Sequence, residues 1–471
     1  MTFGSTLCRR ATNIVRTNVK MRVAVAGCCH GQLDATFKQV NDLESQNGYK
    51  IDVVLINGDF QAVRNHQDLQ CMAVPDKYKQ LGTFYKYYIG QVAAPVLTIV
   101  IGGNHEASNY MWELYHGGWL APNIYYLGGS GCVKVNGLRI AGASGIYKSH
   151  DYRLGEFINQ LSSPDVFMSH DWPVDITRYG DQPQLLKRKP FFQSDIEKGE
   201  LGSPPMMDLL YSLRPGYWFS AHMHCRFEAV VEHDSDASGD QTSAVPAETE
   251  AKSSRGTANA PAQVNPDEIQ LDDLDELPST DPIPPVPVHN PDEIMIHDDS
   301  VVVPTADSVP APEQNDGTKN TAGSAAAPNT RPSPSKTSTR FLALDKCLPK
   351  RHYMDVLEIA PSTSPSGQVT SPPTLTFDRE WLAISRALHP YLSTQRQQPA
   401  MPPPWDMAPL IQDAQRWVDK NVGEREIRRV QEFVMTAPGP VNRNPRPASN
   451  LPQRKHPLFS VWANRRLTGL V

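Results

Sequence analysis

Residues 217–224 have the sequence Tyr-Trp-Phe-Ser-Ala-His-Met-His, an apolar run that ends in two histidines one residue apart. In an extended chain, residues i and i+2 point to the same side, so His222 and His224 should lie together where a buried strand ends. Packing alone would be served as well by valine or isoleucine. The pair therefore indicates a metal or phosphate site, although a single His-x-His pattern is weak evidence by itself.

Four earlier apolar runs end in a similar way, each followed by side chains that can bind a metal ion. The runs and these side chains are Met21–Gly27 before Cys28 and His30, Ile51–Ile56 before Asp59, Pro95–Ile101 before Asn104 and His105, and Asp165–Met168 before His170. Short apolar runs of this kind suit strands that are buried on both faces. Ligands collect at the carboxyl ends of such strands, so five strand ends with donor side chains predict one common site.

The charge of the chain is unevenly distributed. The 471 residues have a net charge of −6, but residues 231–340 contain 20 acidic and 6 basic residues, a net of −14. The remaining residues therefore include 31 acidic and 39 basic ones, a net of +8. An ordered part that is basic suits a polyanionic partner.

The cysteine count and the hydropathy of the sequence indicate in which kind of compartment the protein works. Seven cysteines are an odd number, thinly spread over 471 residues, which favours a reducing compartment. No apolar run approaches the roughly 18 residues needed to cross a membrane, so we expect no membrane partner. Residues 1–20 contain four basic and no acidic residues, which would also suit a weak mitochondrial leader. Because the first strand begins at Met21, we prefer a disordered N-terminal extension.

Strand-like and helix-like stretches alternate over residues 21–231. This alternation predicts an α/β fold, with a two-sheet β-sandwich flanked by helices. The pair Asn136-Gly137 separates two strand-like runs and predicts a tight hairpin. Residues 232–339 are acidic and contain no Phe, Tyr or Trp, so they cannot bury enough apolar surface to fold. We expect a long disordered insertion there.

Ordered structure is expected to resume at residue 340. Over residues 340–395, two strand-like runs should complete the sheet that the insertion interrupts, and a C-terminal domain should begin. Residues 396–471 are predicted to form a helical C-terminal region with a basic, loop-like tail. The apolar residues expected on its buried helix faces are Leu410, Ala414, Trp417 and Val418, followed by Ile427, Val430 and Val434.

The donor side chains at the five strand ends suit two metal ions better than one. They are Cys28, His30, Asp59, Asn104, His170, His222 and His224. Seven donors exceed the needs of one transition metal, and the two carboxylate oxygens of Asp59 can bridge two cations. Two metals roughly 3.5–4 Å apart can clamp a phosphate and activate a nucleophile for in-line attack. His105, beside Asn104, can then protonate the departing alkoxide as a general acid.

Each of these residues also has a purely structural interpretation. Asp59 and Asn104 are common turn residues, and His30 or His170 alone is more often a hydrogen-bonded core histidine. Cys29 is most simply a small buried residue. Packing thiols are also expected at Cys71, Cys132, Cys225 and Cys347. Taken together, these structural interpretations are weaker than a common site, because all of them would have to hold independently at the ends of five separate strands.

The order of the motifs resembles the calcineurin-like metallophosphoesterase superfamily. The motifs are Cys28-x-His30, Gly58-Asp59, Gly103-Asn104-His105-Glu106, the lone His170 after a strand, and Ala221-His222-x-His224. In most of that superfamily the first motif is Asp-x-His, whereas this chain has Cys28. The RNA lariat debranching enzymes share that departure. This chain also resembles them over the stretches 57–62, 101–107, 142–147, 169–173 and 341–349. The resemblance covers roughly residues 21–228 and 340–392.

The resemblance implies a metal-dependent phosphodiesterase of the nucleus. It would hydrolyse the 2′,5′-phosphodiester at the branch point of excised intron lariat RNA, for intron turnover after mRNA splicing. The ligands of one metal would be Cys28, His30, Asp59 and His224, and those of the other Asp59, Asn104, His170 and His222. His105 would protonate the leaving 2′-oxygen. The divalent metals expected are Fe²⁺, Zn²⁺ or Mn²⁺, and the soft thiolate of Cys28 favours Zn²⁺ or Fe²⁺ over Mg²⁺.

The family also has a recognition loop for branched RNA between the third and fourth motifs. In this chain the loop interleaves aromatic and basic residues, and the candidates for substrate binding are Tyr147, Lys148, His150, Tyr152 and Arg153. Such a mixture can stack on unpaired bases and hold phosphates, although any one of these residues fits a solvated loop equally well. Spliceosomal or intron-turnover proteins are further candidate partners, through the insertion or the C-terminal region.

Two other functions are compatible with parts of the pattern. A protein or small-molecule phosphatase of the same superfamily would explain the metal ligands, but neither Cys28 nor the basic ordered part. A catalytically silent scaffold with the same fold would be expected to have lost ligand histidines or the general acid. All five histidines are present here.

Overall fold

The computed structural model describes residues 20–147, 157–233, 337–362, 370–392 and 399–440, and all of them belong to one compact unit. The predicted N-terminal extension up to residue 19, most of the predicted insertion and the tail beyond residue 440 lie outside the described residues. Within the described part of the chain, no helix is both long and apolar enough to cross a membrane.

The described residues form thirteen strands in two sheets. The strands are β1 (Met21–Ala26), β2 (Val53–Asn57), β3 (Leu97–Ile101), β4 (Gly118–Ala121), β5 (Ile124–Tyr126), β6 (Ser130–Val135), β7 (Leu138–Ala143), β8 (Val166–Ser169), β9 (Tyr217–Ser220), β10 (Phe227–Glu232), β11 (Ser338–Ala343), β12 (Met354–Ile359) and β13 (Leu375–Phe377). The first sheet has the order β12-β1-β2-β3-β5-β4, and the second has the order β10-β11-β9-β8-β7-β6-β13. The predicted α/β sandwich is confirmed.

Helices flank the sheets. The α-helices are α1 (Leu33–Asn47), α2 (Phe84–Tyr88), α3 (Ser108–Glu113), α4 (Gln182–Arg188), α5 (Phe192–Lys198), α6 (Pro204–Leu213), α7 (Arg379–Leu388) and α8 (Pro404–Asn421). Short 3₁₀ turns occur at Asp68–Cys71, Asp76–Tyr78, Ile176–Tyr179, His389–Tyr391 and Ile427–Arg429. Serine or aspartate side chains accept a backbone hydrogen bond at the N-termini of α4, α6 and α7, which fixes where these helices begin.

Both sheets have a parallel centre. The strands β1, β2, β3 and β5 are parallel in the first sheet, and β7, β8, β9 and β11 are parallel in the second. The loop after β8 touches the end of β2, where Nδ1 of His170 lies 2.8 Å from the carbonyl oxygen of Asn57. The carboxyl ends of both parallel sets therefore lie at the same end of the molecule, which we call the site end.

The core lies between the two sheets. Val25 and Leu55 of the first sheet and Met168 and Phe219 of the second belong to one buried apolar cluster. Because side chains alternate along a strand, the neighbours of these residues face the other way. In the first sheet those neighbours pack on the helices α1, α2 and α3, in a second cluster that includes Phe37. Strands buried on both faces explain the nearly continuous apolar runs in the sequence.

The predicted hairpin is present, but the strands after the insertion pair differently from what was expected. Asn136 and Gly137 have φ angles of 46° and 87°, and they join the antiparallel strands β6 and β7 as a two-residue turn. The two strands after the insertion were expected to complete one sheet, and this was wrong. Strand β11 joins the second sheet between β10 and β9, whereas β12 forms the edge of the first sheet beside β1. The chain returning from the insertion therefore completes both layers.

The C-terminal region is only partly helical. Helix α7 packs on α8, where the guanidinium of Arg386 lies 3.7 Å from the ring centre of Trp417. Ala414, Val418 and Ile427 are buried as expected. Leu410 and Val434 are 40% and 66% exposed, so the expected apolar face was wrong at both positions. The face fails at Val434 because α8 ends at Asn421 and, among the described residues, only the 3₁₀ turn Ile427–Arg429 follows it.

The segment after the last turn crosses back to the first sheet, and we call residues 431–438 the strap. The indole of Trp119 donates to the carbonyl of Gln431 over 2.9 Å, and the backbone N–H of Thr436 donates to the hydroxyl of Tyr88 over 2.8 Å. Arg64 donates to the hydroxyl of Thr436 over 2.8 Å. The strap is thus held against β4, α2 and the loop that follows β2.

The pairing of the two strands that border the predicted insertion indicates that the insertion can be removed without disturbing the fold. Glu232 and Ser338 are paired partners in the antiparallel ladder of β10 and β11, so the backbone leaves and returns at adjacent points. We expect that replacing residues 235–335 with a short Gly-Ser linker will leave the fold intact. Shorter loop closure should raise the free energy of unfolding by up to about 2.5 kcal/mol. Chemical denaturation measures this change, and a clear loss of stability would contradict the prediction.

Candidate metal centre

Five loops at the site end bring the predicted ligands together. Donor atoms of Cys28, His30, Asp59 and His224 all lie within 4.8 Å of one another. Nε2 of His30 lies 3.1 Å from Nε2 of His224 and 3.7 Å from Oδ2 of Asp59. Thiolate sulfur, imidazole nitrogen and carboxylate oxygen are the ligands that zinc and related transition metals take, so this donor set fits one such ion.

A second group of donors lies on the other side of Asp59. Nε2 of His170 is 3.4 Å from Oδ1 of Asp59 and 3.0 Å from Oδ1 of Asn104. The ring centre of His222 lies 5.0 Å from that of His170. The two oxygens of Asp59 thus face different groups of donors, which is the arrangement that a carboxylate shared by two cations requires.

Left-handed backbone conformations concentrate in these loops. The φ angles are 46° at His30, 42° at Asp59, 60° at His222 and 46° at His224. Such conformations cost about 1–3 kcal/mol each in residues other than glycine, and they persist where the surrounding structure enforces them. In His222-Met223-His224 they replace the extended backbone from which the pairing of the two histidines was predicted. The two imidazoles lie at the same centre, but a tight loop after β9 places them there.

Two glycines allow the loops to approach each other. Gly58 has a φ of 99°, and a Cβ atom at this position would lie 2.3 Å from Nδ1 of His170. A Cβ atom at Gly103 would lie 2.2 Å from Oδ1 of Asp59. Neither distance is sterically possible, so the short spacing between the strand ends depends on glycine at both positions.

Glu106 is a site residue that the sequence reasoning did not assign. Its buried carboxylate accepts backbone hydrogen bonds from Phe60 (2.7 Å), Gln61 (2.8 Å) and Gly103 (3.0 Å). It therefore joins the loop that carries Asp59 to the loop that carries Asn104. Burial, and then the nearby charge of Asp59, raises the pKa of Glu106 to about 7. The only sequence signal for this role was its place directly after Asn104-His105.

The protonation states suit metal binding. Burial lowers the pKa of His222 to about 3 and holds the pKa of His224 well below its usual value. Both rings are therefore neutral at pH 7, with a nitrogen lone pair available to a cation. Burial disfavours the charged form of Asp59, but the neighbouring His170 and His30 outweigh it, so the pKa of Asp59 lies well below its usual value. His222 and His224 thus offer neutral imidazoles beside the ionised carboxylate of Asp59. Burial disfavours the charged form of His170 as well, but Asp59 outweighs it and raises the pKa of His170, so a bound cation would have to displace a proton there.

Cys28 and its neighbour Cys29 have different surroundings. The sulfur of Cys28 accepts a 3.3 Å hydrogen bond from the backbone N–H of His222. Burial, and then the charge of Asp59, raises the pKa of the Cys28 thiol well above its usual value, so a bound cation would have to displace the proton. Cys29 lies in the apolar cluster beneath α1, with its sulfur 3.8 Å from the hydroxyl of Thr36.

His105 occupies a different position from the other site histidines. Its backbone N–H donates to Oδ1 of Asp59 over 2.9 Å, while Nδ1 of its ring is 3.9 Å from Oδ2. The side chain is half-buried, as are those of His30 and His222, whereas Cys28, Asp59 and His170 are buried. His105 thus borders the open side of the centre, where it can exchange a proton with a bound molecule.

The remaining predicted residues are placed as follows. Tyr147 is half-buried, and its backbone N–H lies 3.5 Å from a carboxylate oxygen of Asp171, next to His170. The other predicted substrate-binding residues, Lys148, His150, Tyr152 and Arg153, lie outside the described residues. Of the expected packing thiols, Cys132, Cys225 and Cys347 are buried, but Cys71 is exposed, so that expectation was wrong. Cys71 ends a short surface turn and packs in no apolar cluster of the described residues.

Comparisons with known proteins give two matching family models. The chain matches "Calcineurin-like phosphoesterase" over residues 21–226 and "Lariat debranching enzyme, C-terminal domain" over residues 336–464. It is 37% identical over 444 residues to a lariat debranching enzyme of Schizosaccharomyces pombe, with 89% of this chain and 90% of the relative covered. Identity to the Arabidopsis thaliana enzyme is 34%, with 89% and 79% covered. For the Drosophila pseudoobscura pseudoobscura enzyme it is 39%, with 80% of this chain and 62% of the relative covered.

The role of Glu106 can be tested by Glu106→Gln. The amide can accept fewer hydrogen bonds, and its NH₂ group would face a backbone donor. We expect the free energy of unfolding to fall by roughly 1–3 kcal/mol for each buried donor left without a partner. Metal affinity should fall too, because Asp59 loses its support. Denaturation and metal titration measure both, with Glu424→Gln on the exposed surface as the control. An unchanged metal affinity would show that the loop of Asp59 does not need Glu106.

Proposed function

Because this chain belongs to the family of lariat debranching enzymes, we propose that it hydrolyses the 2′,5′-phosphodiester at the branch point of excised intron lariat RNA. The observation that carries the proposal is the convergence of Cys28, His30, Asp59 and His224 within 4.8 Å, beside a second donor group that shares Asp59. The first residue of this group, Cys28, is the cysteine that distinguishes lariat debranching enzymes from other phosphoesterases, which have an aspartate at this position.

Two divalent metal ions fit the donors. Cys28, His30, Asp59 and His224 would hold one ion, and Asp59, Asn104, His170 and His222 the other. When bound, the two ions would neutralise the phosphate oxygens and lower the pKa of an attacking water. The protein contributes a preformed centre. Nδ1 of His170 is 2.8 Å from the carbonyl of Asn57, which directs its other nitrogen toward Asp59 and Asn104.

The leaving group departs on the side of His105. A 2′-alkoxide is a poor leaving group, so a proton must reach the 2′-oxygen as its bond to phosphorus breaks. The half-buried ring of His105 is held beside the centre by its own backbone bond to Asp59. His105 protonates the 2′-oxygen and is reprotonated from solvent. Hydrolysis leaves a free 2′-hydroxyl on the branch nucleotide and a phosphate on the former 5′ partner, so a lariat opens into one linear RNA.

With this activity we propose a nuclear location, because excised introns are produced in the nucleus. The net charge of +8 outside residues 231–340 supports an RNA substrate. Tyr147, at the start of the predicted recognition loop, is tied by its backbone to Asp171 beside the ligand His170. This position of Tyr147 supports an RNA-binding role for it, and we propose the same role for Lys148, His150, Tyr152 and Arg153, which lie outside the described residues. Spliceosomal or intron-turnover proteins would bind the insertion or the C-terminal region.

A substrate panel tests the reaction and the role of His105 together. Metal-loaded protein should cleave a branched RNA, leave a linear RNA intact, and hydrolyse p-nitrophenyl phosphate poorly. His105→Ala should lower kcat for the branched RNA by about 10²–10⁴-fold, with the metal content unchanged at two ions per chain. The exposed His66 is the control, and His66→Ala should retain full activity.

The other outcomes of this panel are informative. Preferred hydrolysis of p-nitrophenyl phosphate would identify a phosphatase, and inactivity on all three substrates despite bound metal would identify a silent scaffold. If His105→Ala loses a metal ion, His105 is a ligand rather than the acid.

The choice of metal is tested at Cys28. Thiolate is a softer ligand than carboxylate, so Cys28→Asp should remain folded and shift the metal preference from Zn²⁺ or Fe²⁺ toward Mn²⁺. Cys28→Ser should weaken binding of the first ion outright, because a neutral hydroxyl is a poor ligand. Cys29→Ser is the matched control and should change little, since Cys29 lies in the apolar cluster beneath α1. Activity titrated against the three metals measures these effects, and damage by Cys29→Ser with a silent Cys28→Ser would refute the assignment.

A further inference from the structure

Two short basic segments border the metal centre on the side of Cys28. One is the end of α4 with the residue that follows it, and the other is the loop between β11 and β12. We call their six cationic residues the basic rim: Lys187, Arg188, Lys189, Lys346, Lys350 and Arg351. The reaction described above uses none of them.

The loop between β11 and β12 is attached directly to the first metal ligand. The backbone N–H of Cys347 donates to the carbonyl of Cys28 over 2.9 Å. Gly27 lies so close to this loop that a Cβ atom would be 2.1 Å from the carbonyl oxygen of Asp345. The half-buried Lys346 therefore lies between two residues that touch the Gly27-Cys28 backbone. Lys350 and Arg351 follow in the same loop.

The other segment lies against the loop that carries the last two histidines. A guanidinium nitrogen of Arg188 donates to the carbonyl of Arg226 over 2.9 Å, and Arg226 is two residues beyond His224. Arg226 itself is not a member of the rim, because its guanidinium is paired with Glu228 at 2.5 Å and Asp355 at 3.0 Å. Lys187 and Arg188 are exposed, and Lys189 is half-buried.

The charge of the rim is concentrated and only weakly compensated within its own segments. Residues 187–189 and 345–351 contain six cationic residues and one acid, Asp345, a net charge of +5. The carboxylate of Asp345 lies 3.5 Å from the guanidinium of Arg351. Burial raises the pKa of this carboxyl group, while the backbone N–H of Lys346 and the charges of Arg351, Lys189 and Lys346 act against that rise, so cations of both segments influence the same acid. Asp345 is the single acidic residue of these two segments.

We propose that the basic rim binds the phosphates of a single-stranded RNA arm as it leaves the metal centre on the Cys28 side. The proposal rests on the proposed function for its substrate class. A branched RNA continues on several sides of the scissile phosphate, so its backbone must cross the rim of the centre. Lysine and arginine at the ends of flexible side chains neutralise successive phosphates without reading the bases. The rim therefore adds affinity for arms of any sequence.

Salt dependence of binding tests the rim without requiring catalysis. The variant Lys187→Gln/Lys350→Gln removes one exposed cation from each segment, and the probe is a labelled decauridylate followed by fluorescence anisotropy on the full chain. Each phosphate contact on a single strand contributes about 0.7 to the slope of log Kd against log salt, so two lost contacts should reduce the slope by about 1.4. The Kd at 50 mM salt should rise roughly ten- to hundredfold, and the two Kd values should converge at high salt.

Lys20→Gln/Lys50→Gln is the matched control. These two lysines are 63% and 84% exposed, and they lie just before β1 and β2, at the end of the sheet opposite the metal centre. The same loss of charge there should leave the slope unchanged. Equal slopes for the two double variants would overturn the proposal, and so would loss of affinity for polyglutamate with RNA binding intact, since the rim would then be a site for acidic peptides. Rim-dependent RNA binding in a protein that fails to cleave branched RNA would refute the debranching function but not the rim.

Discussion

The buried carboxylate of Asp59 is the group on which the rest of the centre depends. A charge without solvent is costly unless partners surround it, and here the partners come from three separate loops. His170 and His30 face its two oxygens, and the backbone of His105 donates to one of them. Asp59 itself has a left-handed backbone, which the surrounding structure must enforce. Gly58 and Gly103 let the loop of Asp59 and the loop of Asn104 come this close, and Glu106 joins these two loops. The sandwich is a scaffold that brings five strand ends to this one carboxylate.

The convergence of the candidate metal ligands could be predicted because the sandwich imposes simple rules on its strands. Strands buried on both faces are apolar throughout, so Asp59 or His170 after such a run is conspicuous. Parallel strands then bring these residues to one end. The pairing of His222 with His224 was predicted for an extended backbone, yet both residues are left-handed. The convergence was right, and the local geometry behind it was not.

Other features depend on contacts between distant residues and leave little trace in the sequence. Glu106 resembles any acidic residue near a turn until its three backbone partners are seen. Strands β11 and β12 look like neighbours, but a loop fastened to Cys28 sends them into different sheets. The helical spacing of apolar residues predicts burial only where the helix packs on another element. Leu410 and Val434 fit that spacing, yet both side chains are exposed.

The strap connects the end of the described chain to the first loops of the site. Arg64 follows the loop of Asp59, and its guanidinium bonds both Asp68 and, 372 residues later in the chain, Thr436. A ribosome synthesises Arg64 long before Thr436, so the bond that closes this supporting loop can form only after most of the chain has been made.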